Sequence, residues 1–168
     1  MAMESTRDLL LHDLGDILYA ERQILRSLPK MIRQTTNEEM RDRLELHRGE
    51  TEVQIENLEK AFEVMGRKPR GQKCPGILGI LEEKKEFDEE EDASKEMTEA
   101  FNLGAGLRVE HYEIAAYRSA LAVAKTAGEK EVSDLLSKNL EQEVDMARFI
   151  ETNAKKVLKE MGAATQQA

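Results

Sequence analysis

Residues 5–35 read STRDLLLHDLGDILYAERQILRSLPKMIRQT, and the spacing of their apolar side chains decides the fold. Ser5 with Asp8 has the form of a capping box, the pairing that satisfies free N–H groups at a helix start. Leu9, Leu10, Leu14, Ile17, Leu18, Ile24, Leu25 and Leu28 then recur at helical spacing, and Met31 and Ile32 extend the stripe. This predicts one long amphipathic helix over 6–35, with a kink but no break at Pro29, where one backbone donor is lost. Glu21 stands out. It lies seven residues after Leu14 and four before Leu25, which places a carboxylate on the buried stripe.

Working outward, Thr36 and Glu39 repeat the start signal, and Leu44, Val53, Ile55, Leu58, Ala61, Phe62 and Met65 carry an apolar face as far as Gly66. A helix over 37–65 follows. Its very short link to the first makes the two an antiparallel hairpin. Residues 66–76, GRKPRGQKCPG, have no helical period and read as a loop. Ile77, Leu78, Ile80 and Leu81 predict a short helix over 77–90, with EEKKEFDEEED as its solvated face or as linker. A second long pair is predicted over 93–126 and 129–161, separated at Gly128. The expectation is all-α: an antiparallel four-helix bundle of ferritin-like topology, with a long crossover carrying a short extra helix between its second and third long helices.

Composition agrees. The 168 residues are enough for a single domain over 1–168, and with 4% aromatic and 35% charged residues the balance is that of long helices. A formal charge of -9 argues against nucleic acid as a partner, because that affinity comes from Lys and Arg displacing counterions. No apolar run reaches the roughly 20 residues of a membrane span, and no secretory core opens the chain. Cys74 is the single cysteine, so an internal disulfide, a structural zinc site of thiolates and a four-cysteine iron centre are excluded. A cytoplasmic location is expected.

Each long helix carries a carboxylate where its stripe should be apolar. Helix 37–65 has Leu44, His47, Glu50, Gln54 and Leu58 in steps of three and four. Helix 93–126 aligns Leu103, Leu107, Glu110, Ile114, Tyr117 and Leu121, with Glu113 one turn beyond Glu110. Helix 129–161 has Leu136, Leu140, Glu143, Met146 and Ile150. Taken alone, each glutamate reads as a surface residue before it reads as a ligand. Four in matched positions point to divalent metal, since a lone buried carboxylate is costly and several around cations are neutralised. In di-iron bundles two helices give Glu and two give Glu-x-x-His. Glu21, Glu50, Glu110 and Glu143 match the carboxylate half, but Val53 and Met146 stand where histidines would. His47, one turn before Glu50, reads either as a ligand or its supporting donor, or as a hydrogen-bonded core histidine. His12 and His111 fall off the stripe.

Tyr19-Ala20-Glu21-Arg22-Gln23, Leu28-Pro29-Lys30-Met31, His47-x-x-Glu50-Thr51 and Val109-Glu110-His111-Tyr112-Glu113-Ile114-Ala115 resemble the YciE/YciF-type bacterial stress proteins, a ferritin-like family. Lys73-Cys74 and Leu81-Glu82-Glu83 fit as well, so the resemblance spans nearly the whole chain. It implies a helical homodimer with a di-metal-like centre and a role in stress responses. By position it makes Glu21, Glu50, Glu110 and Glu143 metal carboxylates, with Glu113 an added ligand as in rubrerythrin-like sites. The chain departs from the pattern at Gly49, where Glu is expected, and at Ala147, where Asp is expected.

Two functions follow as expectations. One is a redox protein holding two divalent ions, iron first and manganese as the alternative, that reduces oxygen or peroxide or oxidises ferrous iron. It would need an external reductant, and Tyr117 reads either as an aid to electron transfer or as a core tyrosine with a satisfied hydroxyl. The other is a non-enzymatic structural or stress protein that acts through dimer or partner contacts around a vestigial site.

Overall fold

A computed structural model describes residues 3–165. Among them the regular structure is helical: α1 (Thr6–Gln34), α2 (Glu38–Val64), α3 (Pro75–Glu90), α4 (Lys95–Thr126) and α5 (Lys130–Thr165). α1 opens at Ser5, whose hydroxyl accepts from the Asp8 N–H while the Asp8 carboxylate accepts from the Ser5 hydroxyl. It passes unbroken through Pro29. α2 starts one residue later than Thr36 would place it. Asn37 is its N-cap, accepting from the Met40 N–H at 2.9 Å, and Thr36 bonds Glu99 of α4 instead. Both α2 and α4 end on a glycine of positive φ, Gly66 at 69° and Gly128 at 74°. The bonds from Arg67 N to Phe62 O and from Glu129 N to Ala124 O close the helix ends there, a geometry glycine enters without a Cβ clash.

α1 packs on α2 and α4, and α5 packs on α2 and α4, so α1 faces α5 and α2 faces α4 only across the diagonals. Neighbouring long helices all run antiparallel. The first half of α1 (Leu10, Leu14, Leu18) meets the last half of α2 (Leu58, Phe62), the last half of α4 (Ala120, Ala124) and the first half of α5 (Val132, Leu136). At the other end Ile24 and Leu28 of α1 pack with Met40 and Leu44, Leu103 and Val109, and Met146 and Ile150. The core is therefore two apolar halves, and the polar stripes lie between them.

The crossover from α2 to α4 docks against α1. Gln72 N donates to Gly15 O at 2.9 Å, and a Cβ at residue 15 would stand 3.1 Å from Arg70 O. α3 begins at Pro75, a residue suited to a first helical position because its missing N–H has no partner there anyway. The charged stretch that reads as solvated face or linker is helical to Glu90 and partly packed. Phe87 stacks on Phe101 of α4 with ring centres 3.8 Å apart, and Asp88 takes Lys30 of α1 at 2.8 Å. One aromatic and one shared carboxylate were enough to hold an otherwise polar turn against the bundle. Val53, read as part of the apolar face of α2, is 47% exposed, because that face rotates through Thr51 and Gln54 at mid-helix. No described helix is long and apolar enough to cross a membrane.

Candidate metal centre

At mid-height the four long helices turn glutamates and one histidine, not hydrocarbons, toward one another. Glu21 of α1, Glu110 and Glu113 of α4 and Glu143 of α5 are all at most 3% exposed, as is His47 of α2. His47, Glu110 and Glu143 each offer one donor atom, and these three atoms lie within 4.8 Å of one another. The His47 Nε2 is 3.4 Å from a Glu110 oxygen and its Nδ1 is 3.5 Å from Glu50. Glu50 sits at the rim, partly exposed, and Arg43 holds it at 2.8 Å. Of the six residues singled out from the sequence, five meet in the buried layer and Glu50 borders it. His12 and His111 lie elsewhere, against Gln72 and Glu151.

Side chains on the next turns orient this layer. Tyr117 donates its hydroxyl to Glu21, and the Gln54 amide donates to Glu143. Asn139 of α5, fully buried, donates to both Tyr117 Oη at 3.0 Å and Gln54 O at 3.2 Å, and accepts from Asn57 at 2.8 Å. The Thr51 hydroxyl bonds the His47 carbonyl at 2.9 Å. Asn139 went unread in the sequence, although it stands four residues before Glu143 and so one turn along the same face. Gly49 faces open space, with nothing within 4 Å of an added Cβ, so that departure from the family pattern leaves the layer untouched. Ala147 is buried.

Much of the layer has no partner. Five carboxylate oxygens (Glu21 Oε2, Glu110 Oε2, Glu113 Oε1 and Oε2, Glu143 Oε2) and both His47 ring nitrogens are buried without a hydrogen bond. Buried polar atoms are ordinarily paired, so this concentration marks a group that could hold a cation. The electrostatics say the same. Burial pushes Glu21 up to about 7, with Tyr117 and His47 opposing and Glu110 adding to the rise. Burial and the surrounding glutamates hold Glu113 and Glu143 well above the usual carboxylate range. For His47, burial would lower the pKa, but the nearby carboxylates of Glu110, Glu50 and Glu143 outweigh it and raise it well above normal. Hard oxygen donors with one imidazole are the ligand set that iron or manganese takes, and the residues present fit a divalent cation.

A family model described as a domain of unknown function, DUF892, matches residues 5–163. The chain belongs to this family. It is 34% identical to protein YciF of Escherichia coli (strain K12) over 144 residues, 85% of this chain and 86% of that protein. The solved structure of YcfI from Rhodopseudomonas palustris superposes with a TM-score of 0.86 at 40% identity, over 89% of this chain and 95% of that one. The structure of the E. coli stress protein YciF gives 0.86 at 31%, over 94% and 99%. A protein of Xanthomonas campestris (XCC3681), at 0.78 and 21% over 96% and 99%, shares the fold. The resemblance read from the sequence motifs of 19–23, 47–51 and 109–115 thus holds across this DUF892 chain.

Proposed function

We propose that the glutamate layer binds two divalent metal ions, iron foremost and manganese as the alternative, and that the loaded bundle serves a bacterial stress response as a redox protein. The observation that carries this reading is the set of five carboxylate oxygens and two imidazole nitrogens, none of them hydrogen-bonded, converging between two apolar half-cores. Glu21, Glu110, Glu113 and Glu143 would be the oxygen ligands, His47 the nitrogen ligand, and Glu50 the carboxylate at the rim. When bound, such a pair would supply the redox chemistry for reducing oxygen or peroxide or for oxidising ferrous iron.

The chain's own part is positioning and proton handling. Tyr117 and Gln54 fix the carboxylate planes of Glu21 and Glu143 through one oxygen each, leaving the other free. Burial first, then the neighbouring glutamates, hold Glu21, Glu113 and Glu143 above the usual carboxylate range, so the metal-free layer favours their protonated forms and would release protons as a cation enters. Leu18, Leu58, Ile24 and Met146 above and below the layer keep bulk water out, which strengthens every charge interaction inside. Cys74 is the single cysteine, so electrons would come from an external reductant.

A second reading, a structural stress protein without resident metal, is favoured by the same layer's internal bonds, which can hold it neutral. Elemental analysis of protein purified without chelator separates the two. About two iron or manganese ions per chain, as in two-metal sites generally, lost in a Glu110→Ala, Glu143→Ala variant, supports the metal reading. A wild type that stays metal-free after anaerobic reconstitution with ferrous and manganous salts supports the structural one.

A further inference from the structure

Between α1, α3 and α4 lies a cavity of about 250 Å³, backed by one half-core and bordered by Glu110. Its walls are apolar, with Ile24, Leu28, Leu81, Val109 and Ile150 among them, and its inner end touches Glu110. Arg26, Lys30, Lys84 and Lys85 stand at its mouth with Asp88, and Glu82 and Glu89 lie against Lys85. In a chain of net charge -9 this concentration of positive charge runs against the overall balance. Asp88 serves two lysines at once, Lys30 at 2.8 Å and Lys84 from its own helix. Lys85 is paired with Glu82 at 2.7 Å, and Arg26 stands exposed beside them.

We infer that this cavity binds a free medium-chain fatty acid, an alkyl tail of roughly eight to ten carbons with a carboxylate head. An apolar cavity near 150 Å³ admits a benzene ring, so the larger volume here admits about ten carbons. The tail lies against Ile24, Leu28 and Val109, and the head completes the charge of Lys30, Lys84 and Arg26. A sugar or nucleotide would leave its polar groups unpaired against these walls, and a cationic head would be repelled at the mouth. The inference stands apart from the metal reading, because neither wall nor mouth depends on an ion in the layer.

The test is calorimetric titration of the full chain, treated with chelator, with hexanoate, octanoate, decanoate and dodecanoate below their micelle concentrations. One saturable site is expected, tightening about fourfold for each added CH₂ and levelling near ten carbons as the cavity fills. Arg26→Glu with Lys30→Glu, both on the surface, should weaken decanoate about tenfold or more while the helical spectrum is unchanged. Ala105→Leu, which fills the wall, should shift the optimum to shorter tails. Absence of saturable binding, a climb with chain length that never levels, or decanoate affinity indifferent to the double variant would overturn the inference. So would attachment of the chain to anionic phospholipid vesicles without uptake of free decanoate. Failure to find metal in the layer would leave all these outcomes unaltered.

Discussion

Tyr117 gives its hydroxyl hydrogen to Glu21 and receives one from Asn139, so a single phenol links α1, α4 and α5 at the floor of the glutamate layer. Burial and the charges of Glu21, Glu113 and Glu143 hold Tyr117 well above its ordinary pKa, which keeps it a donor. Tyr117→Phe should therefore cost about 1–3 kcal/mol, the penalty for leaving a buried partner unsatisfied. Denaturant unfolding of the metal-free protein checks this, and an unchanged midpoint would mean the phenol is a packing residue only.

Glu113 has both oxygens unpartnered and three other glutamates raising its pKa. Glu113→Gln should raise the thermal midpoint of metal-free protein by removing a buried ionisable group, and lower metal content at the same time. Opposite signs in the two measurements are the expected result. A variant less stable and equally loaded with metal would contradict it.

Stability of the metal-free protein should fall as pH rises from about 5 to 8. Glu21 is raised from 4.5 to about 7, Glu113 and Glu143 are raised further above their usual range, and His47 is raised above 6.5. The folded state thus binds more protons than the unfolded chain in this window. The stabilisation is fully present below the unfolded carboxylate values and is lost as pH climbs through the folded ones. For Glu21 alone the change is about 3 kcal/mol. Guanidinium unfolding at pH 5 and pH 8 in chelator measures it, and a rise in stability with pH would falsify the account.

Glu99 of α4, buried, accepts from the Asn37 N–H at 2.8 Å, from the Thr36 N–H at 3.2 Å and from the Thr36 hydroxyl. It ties the α1 to α2 turn to the opposite hairpin. Glu99→Ala should destabilise by about 2 kcal/mol, since it removes three hydrogen bonds to a carboxylate at a helix start. Asn37→Ala, which removes only the cap on Met40, should cost about half as much; equal losses would show that Glu99 adds nothing across the interface.

The main features legible beforehand were those that repeat. Four stripes of period 3.6 gave the helices, and a charge interrupting each stripe located Glu21, His47, Glu110, Glu113 and Glu143. α1 was easiest, because Leu14, Ile17, Leu18 and Ile24 are dense enough to fix its phase. α2 was harder. Its middle is polar on both faces, so Val53 was read inward and Glu50 deeper than its partly exposed place beside Arg43. Asn139 and Glu99 look like surface residues in one dimension, since their burial depends on donors from another hairpin. Thr36 and Asn37 are equally good caps by type, and only the position of Glu99 chooses between them.

A core split by a polar layer also sets how such a chain diverges. The two half-cores are hydrocarbon against hydrocarbon, where Leu, Ile and Met exchange at little cost if volume is kept. At mid-height Tyr117 joins Glu21 to Asn139 and Gln54 joins Glu143 to Asn139, so none of these five residues is free to change alone. Substitution should consequently accumulate toward the ends of the bundle and halt at its waist; relatives that keep their half-cores while scrambling Glu21, Tyr117, Asn139 and Glu143 would show that lineage drift ignores this boundary.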